Sequence, residues 1–131
     1  MAFRVSRAAF DELLAEALRT APNECCGILL GRESVIEEAL PATNVAPDPL
    51  RRFEIDPQAL VDAHRAARSG GRAVLGYFHS HPRGPPEPSA TDRAEAAHDG
   101  SIWAIAAEGG VAFWRDEEAG FEPLSYTVED R

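Results

Sequence analysis

His79 and His81 stand one residue apart in the stretch HSHPRGPPEPSATD, and Ser89 and Asp92 close it. The preceding run, AlaValLeuGlyTyrPhe (73–78), is short and apolar and reads as a strand leading into His79. Side chains alternate faces along a strand, so the two imidazoles point the same way, with Cα atoms ~7 Å apart. Two imidazoles converging from that distance can share one tetrahedral zinc ion, for which a carboxylate is an ordinary third ligand. Asp92 supplies one. Prolines 82, 85, 86 and 88 stiffen the bend between them, which reduces the entropy lost in assembling the site. With His79, His81 and Asp92 as ligands, the fourth position stays open to water, the catalytic rather than the structural arrangement. Ser80 faces the other way and is expected to pack.

Hydrolysis at such an ion also needs a base that does not ligate it. Glu24 is the preferred candidate: it sits at the mouth of CysCysGlyIleLeuLeuGly (25–31), where partial burial raises a carboxyl's pKa. Two readings stand at two positions. Ser89 and Asp92 also form a helix cap with a carboxylate three residues on, which is compatible with ligation by Asp92. Glu24 is equally placed to be a strand-end residue facing solvent.

The positioning elements follow from pattern. Ser6 caps a helix over 6–20 whose Phe10, Leu13, Leu14, Ala17 and Leu18 recur at helical spacing, with Pro22 beyond its end. Residues 25–31 fit a buried strand that holds the Cys25–Cys26 pair, 34–40 a second and the alternating 51–55 a third, with a proline-bearing loop at 41–49. Asp56 and Pro57 open a helix running to about Ser69 and stopped by Gly70-Gly71. A helix over 89–98 carries Asp92 and ends near Gly100. Strands are expected at 102–106, 111–114 and within 121–128, with a hairpin turn at Gly109-Gly110. His64 and His98 fall on helices and face solvent. Trp103 and Trp114 fill core or half-buried strand positions, and the acidic end with Glu129 and Asp130 is solvated. Helices alternating with strands predict one α/β domain over residues 1–131, a mixed sheet with helices on its faces.

The chain has 131 residues and a net charge of −9, from 22 acidic and 13 basic residues. Acidity disfavours nucleic acid and anionic membranes as partners. No stretch reaches the ~20 apolar residues of a membrane-spanning helix, and Asp11 and Glu12 make the N-terminus unlike a secretory signal. Adjacent Cys25 and Cys26 offer neither a disulfide framework nor a CxxC metal knuckle, which fits a cytoplasmic protein.

AsnGluCysCysGlyIleLeuLeuGly (23–31), TyrPheHisSerHisPro (77–82) and Ser89-Ala-Thr-Asp92 together resemble the JAMM (MPN+) metalloproteases. That pattern is Glu, then His-Ser/Thr-His, seven residues, Ser, two residues, Asp, and both spacings are met here. The resemblance implies a cytidine-deaminase-like α/β/α sandwich, zinc on His79, His81 and Asp92, Glu24 as general acid/base, and Ser89 as the donor to the oxyanion or the residue orienting the water. It implies cleavage of a peptide or isopeptide bond after the C-terminal Gly-Gly of a ubiquitin-like or sulfur-carrier protein of β-grasp fold. Cysteine, a short peptide and a lysine all stay open as the leaving group, as do monomer and homodimer. The segment Asn44 to Ile55 matches the region that lies beside the groove in this family, and the tail is expected along an exposed strand edge, with Phe53 and Ile55 able to contact it (51–55 being equally a half-buried strand packed on the core). Asp92 is soon followed by Ile102, without the insertion that helps eukaryotic members hold lysine-63-linked chains.

Three other readings are weighed. A non-catalytic scaffold of the same fold would lack the ligands, all of which are present. A zinc nucleobase deaminase would carry H-x-E and P-C-x-x-C, which are absent. A RadC-like domain reads His-x-His-Pro-Ser-Gly-Asp, whereas Ser80 is followed by HisProArgGlyPro.

Overall fold

A computed structural model describes residues 3–130. Its elements in chain order are β1 (Phe3–Val5), α1 (Arg7–Thr20), β2 (Cys26–Arg32), β3 (Val35–Ala42), α2 (Pro57–Arg68), β4 (Ala73–His81), α3 (Ala90–Glu95), β5 (Ile102–Ala107), β6 (Gly110–Glu117), β7 (Gly120–Leu124) and β8 (Tyr126–Val128). The eight strands form one mixed sheet in the order β7-β6-β5-β4-β2-β3-β1-β8. The expected α/β architecture is therefore present, with helices on both faces.

The caps predicted at Ser6 and Asp56 form. Ser6 Oγ accepts from the Ala9 amide at 3.1 Å, and Asp56 Oδ1 accepts from the Gln58 amide at 3.1 Å. Gly70 ends α2 at φ +96°, a conformation a Cβ would strain. The apolar stripe of α1 buries Leu13 and Ala9 against Val5, Leu29, Ile36, Phe78 and Ala104. On the other face α2 packs Ala63, Ala59 and Leu60 over Ile28, Leu30, Val74 and Tyr77. Alternation along β4 thus gives Phe78 to the α1 side and Tyr77 to the α2 side.

Four expectations are corrected. Residues 51–55 do not form a strand; Ile55 makes only an isolated bridge to Asn44. The amides of Arg51 and Arg52 turn back onto the Asp48 carbonyl, and β3 already has β2 and β1 as neighbours. The helix carrying Asp92 ends at Glu95 rather than His98. His98 sits in the following loop at φ +57°, where the buried Asp116 accepts its amide at 3.0 Å. The C-terminal segment is two strands, and the end is not merely solvated: β8 runs parallel to β1, and the Glu129 amide reaches the Val5 carbonyl at 2.8 Å. Since β7 and β8 are opposite sheet edges yet follow one another directly in the chain, the sheet must curl around the α1-side core. Phe113, Tyr126 and Phe3 fill that curl, the first two with ring centroids 4.5 Å apart. Finally, among the described residues no sheet edge lies beside His79. The edges are β7 and β8, whereas β4 is held between β2 and β5.

That central position of β4 is what places the histidines. β2 runs antiparallel to it with Cys26 opposite His79, and β5 runs parallel with Ile105 beside His79. The β4–β5 contact tolerates no side chain at Gly76, where a Cβ would lie 1.8 Å from the Ile102 carbonyl oxygen. Gly76→Ala is therefore expected to cost about 3 kcal/mol in urea unfolding. Gly109→Ala, with open space at its Cβ position, should change the midpoint little. Equal effects would contradict this packing.

Candidate active site

β4 ends inside the protein with both imidazoles buried on the α2 face. His79 Nε2 and His81 Nε2 are 3.1 Å apart, and each lies 3.1 Å from Asp92 Oδ2. Three atoms from residues 79, 81 and 92 thus meet in a near-equilateral triangle. Asp92 arrives there because Ser89 caps α3: Ser89 Oγ accepts the Asp92 amide at 3.0 Å, and the Ser89 amide donates to Asp92 Oδ2 at 2.9 Å. The cap and the inward-facing carboxylate coexist.

The proline bend is tied down on two sides. His81 Nδ1 donates to the Pro85 carbonyl at 2.9 Å, and Trp114 Nε1 donates to the Pro86 carbonyl at 3.1 Å. The first of these holds Nδ1 as the donor, so the neutral His81 ring turns an Nε2 lone pair to the triangle and the protonated ring turns an N–H to Asp92. His79 is oriented by packing. The Phe53 ring stacks on it at 4.2 Å and 18°, and the Trp103 ring meets its edge at 5.6 Å.

Glu24 enters from the chain just before β2, the strand next to β4. Extending the antiparallel register from Cys26 opposite His79 sets Glu24 opposite His81. Ser80, facing the α1 side as expected, locks that register: its Oγ accepts the Cys25 amide at 2.8 Å, and its own amide donates to the Cys25 carbonyl at 3.2 Å. Glu24 is buried rather than solvent-facing, and its Oε1 has no hydrogen-bond partner. A Glu24 carboxylate oxygen and the two imidazole nitrogens lie within 4.8 Å of one another. Ser89 itself is exposed and lines a cleft with Glu24, His81, Leu50, Arg51 and Arg83. The structure therefore brings Glu24, His79, His81 and Asp92 together, with Ser89 at the rim.

Electrostatics follow from this burial. Loss of solvation pushes the Glu24 carboxyl up to about 7, with nearby Asp92 adding to the effect and His81 opposing it. Burial would raise Asp92 too, but hydrogen bonds from His79 and His81 overcome it and hold this carboxyl well below the carboxylate range. Desolvation lowers the pKa of His79, favouring the neutral ring. His81 is raised, because contacts with Asp92 and the Pro85 carbonyl outweigh desolvation. A thiol mechanism finds no support: burial pushes Cys25 up to about 11 and Cys26 up to about 12.

The donor set fits a zinc ion. Two lone-pair nitrogens and a carboxylate oxygen at 3.1 Å repel one another unless a cation or shared protons lie between them. That separation is close to the edge of a tetrahedron with metal–ligand bonds of ~2.0–2.1 Å. A second carboxylate whose Oε1 is buried without a partner stands beside them. Phe53 was expected as a substrate contact or as part of a half-buried strand packed on the core, and its stacking on His79 was not foreseen. Nor were Asn44, Trp114 or the carbonyls of Pro85 and Pro86, since none bears a recognisable spacing to the histidines.

Comparison with known proteins shows what the chain as a whole is similar to. A desampylase from Haloferax volcanii is 36% identical over 128 residues, covering 91% of each chain. A probable TtuB-protein conjugate cleaving protease from Thermus thermophilus is 42% identical over 92 residues, which span 70% of this chain and 62% of the relative. The solution structure of a protein from Desulfitobacterium hafniense superposes with a TM-score of 0.87 at 27% identity, covering 98% of this chain and 94% of the other. Residues 6–117 match the sequence pattern of the prokaryotic homologs of the JAB domain, and the chain belongs to that family.

Proposed function

We propose that this chain, acting as one domain, is a zinc metallopeptidase. In this reading it hydrolyses the bond between the C-terminal Gly-Gly of a ubiquitin-like or sulfur-carrier protein and the group attached to it. The carrying observation is the triangle of His79, His81 and Asp92 with an unpartnered buried Glu24 carboxyl at its side. The desampylase and conjugate-cleaving relatives support the substrate class. Buried free thiols at Cys25 and Cys26 support a reducing, cytoplasmic setting.

His79, His81 and Asp92 would hold the ion. When bound, zinc would supply Lewis acidity that polarises the scissile carbonyl and eases deprotonation of water. Glu24 accepts the water's proton at its carboxylate and returns it to the departing amine. A carboxyl poised near neutrality is suited to both transfers. The Ser89 hydroxyl, whose oxygen already accepts the Asp92 amide, keeps its own hydrogen to donate to the carbonyl oxygen as charge develops there.

The acyl side enters a cavity of about 260 Å³ that shares Asp92 with the site and is lined by Phe53, Ile55, Tyr77 and Trp103. Its aromatic walls favour a tail without side chains, because only glycine permits so close an approach of backbone to ring. The irregular segment 53–55, rather than a sheet edge, borders this channel.

Two variants separate the roles. Glu24→Gln is expected to keep zinc at one per chain by mass spectrometry and to lose about 10²- to 10⁴-fold in kcat on a Gly-Gly conjugate. Asp92→Ala is expected to lose most of its zinc. Wild-type turnover in the first, or full metal occupancy in the second, would refute the assignment. A pH test follows from burial. Between pH 4.5 and about 7 the folded metal-free protein keeps a proton on Glu24 that the unfolded chain has released. Its stability from this group is full below that window and falls as pH rises through it. The melting temperature of metal-free Glu24→Gln should therefore gain on that of the wild type across this window. A constant difference would contradict the burial of Glu24.

A further inference from the structure

The amide side chain of Asn44 has two N–H donors and an oxygen with two lone pairs, and all of this capacity is used. Its Nδ2 donates to the Glu24 carbonyl at 3.0 Å and to the Arg52 carbonyl at 3.1 Å. Its Oδ1 accepts the Ala46 amide at 3.0 Å and the Glu54 amide at 3.1 Å. The bond to Ala46 is an Asx turn, which starts the loop, and the bond to Glu54 closes it. One side chain therefore fastens both ends of the segment 44–55 and joins it to residue 24.

Glu24 depends on that loop for its backbone contacts. Its amide donates to the Pro49 carbonyl at 2.8 Å, and its carbonyl accepts from Asn44. Glu24 precedes the first ladder pair of β2, which begins at Cys26. The same loop carries Phe53 onto the His79 ring. Both peptide groups that set the direction of the Glu24 side chain are thus held by the segment that packs on a proposed metal ligand.

We propose that Asn44 is a positioning residue that aims the Glu24 carboxyl at the reacting water through its bond to the Glu24 carbonyl. This rests on the reading of Glu24 as the general acid/base. Asn44→Asp keeps the oxygen that serves Ala46 and Glu54 but turns a carboxylate oxygen toward two carbonyls, which pushes residue 24 away. A displacement of ~1 Å at a catalytic group is worth about 100-fold in rate. Asn44→Ser is a second variant that keeps a short acceptor for the Ala46 amide and drops both bonds to the carbonyls together with the bond from the Glu54 amide.

The test is a double-mutant cycle with zinc-loaded protein, read under single-turnover conditions below the melting temperature of every variant. Asn44→Asp and Asn44→Ser should lower kcat by about 10- to 100-fold, with KM within about 3-fold and zinc still at one per chain. In the Glu24→Gln background the same changes should cost less than about 2-fold, because the group they misplace is already disabled. Amide hydrogen exchange should rise at Glu24 while the β2 and β4 amides keep their protection. An equal loss in both backgrounds would make Asn44 merely structural and overturn the inference while leaving Glu24 in its role. Unchanged kcat in the Asn44 variants would overturn it too. Full activity in Glu24→Gln alone would overturn this inference and the acid/base reading together.

Discussion

One oxygen atom organises the centre of this molecule. Asp92 Oδ2 accepts the Ser89 amide at the start of a helix and sits 3.1 Å from both imidazole nitrogens. Three parts of the chain, the end of β4, the proline bend and the first turn of α3, therefore converge on a single point. Most of the surrounding structure serves that convergence. β2 and β5 clamp β4, the carbonyls of Pro85 and Pro86 tether the bend, and Asp116 takes the amide of His98 beyond the end of α3.

The arrangement has an energetic consequence. Four ionisable groups, Glu24, His79, His81 and Asp92, are buried together. Burying charge without compensation is costly, and a half-satisfied polar cluster is worse than an apolar one. Hydrogen bonds among the histidines and Asp92 offset part of this. Glu24 has no such partner at Oε1, and its carboxyl is pushed toward neutrality instead. A divalent cation would offset the remainder, so metal affinity and folding stability should be linked in this protein.

The sequence made the chemistry more legible than the architecture. An HxH pair on a strand must share a face, and a Ser-x-x-Asp cap must set its carboxylate at a fixed point, so the triangle followed from local geometry. Its place at a strand mouth made Glu24 a candidate and left a solvent-facing residue open, and the family resemblance singled it out. What placed it opposite His81 was the β2–β4 register, which no local pattern encodes. Residues 51–55 misled because alternation reports one-sided burial, not strand pairing. Phe53 and Ile55 turn inward beside Arg52 and Glu54, but no strand stands alongside to complete a ladder. Strand β1 is three residues long, too short for a pattern of its own; it exists because it is held between β3 and β8. The segment that Asn44 opens was expected beside the groove, but the bonds of Asn44 were not legible, for the same reason as the register: all four depend on how the loop closes.

The most direct test of the proposed centre is X-ray absorption at the zinc edge, on protein loaded with one equivalent. Bound by His79, His81 and Asp92, the ion should show only nitrogen and oxygen neighbours near ~2.0–2.1 Å, with outer-shell scattering from two imidazoles. That scattering should fall to one imidazole in His81→Ala. A sulfur neighbour near ~2.3 Å would place the metal on Cys25 or Cys26. A spectrum unchanged by His81→Ala would likewise contradict the account.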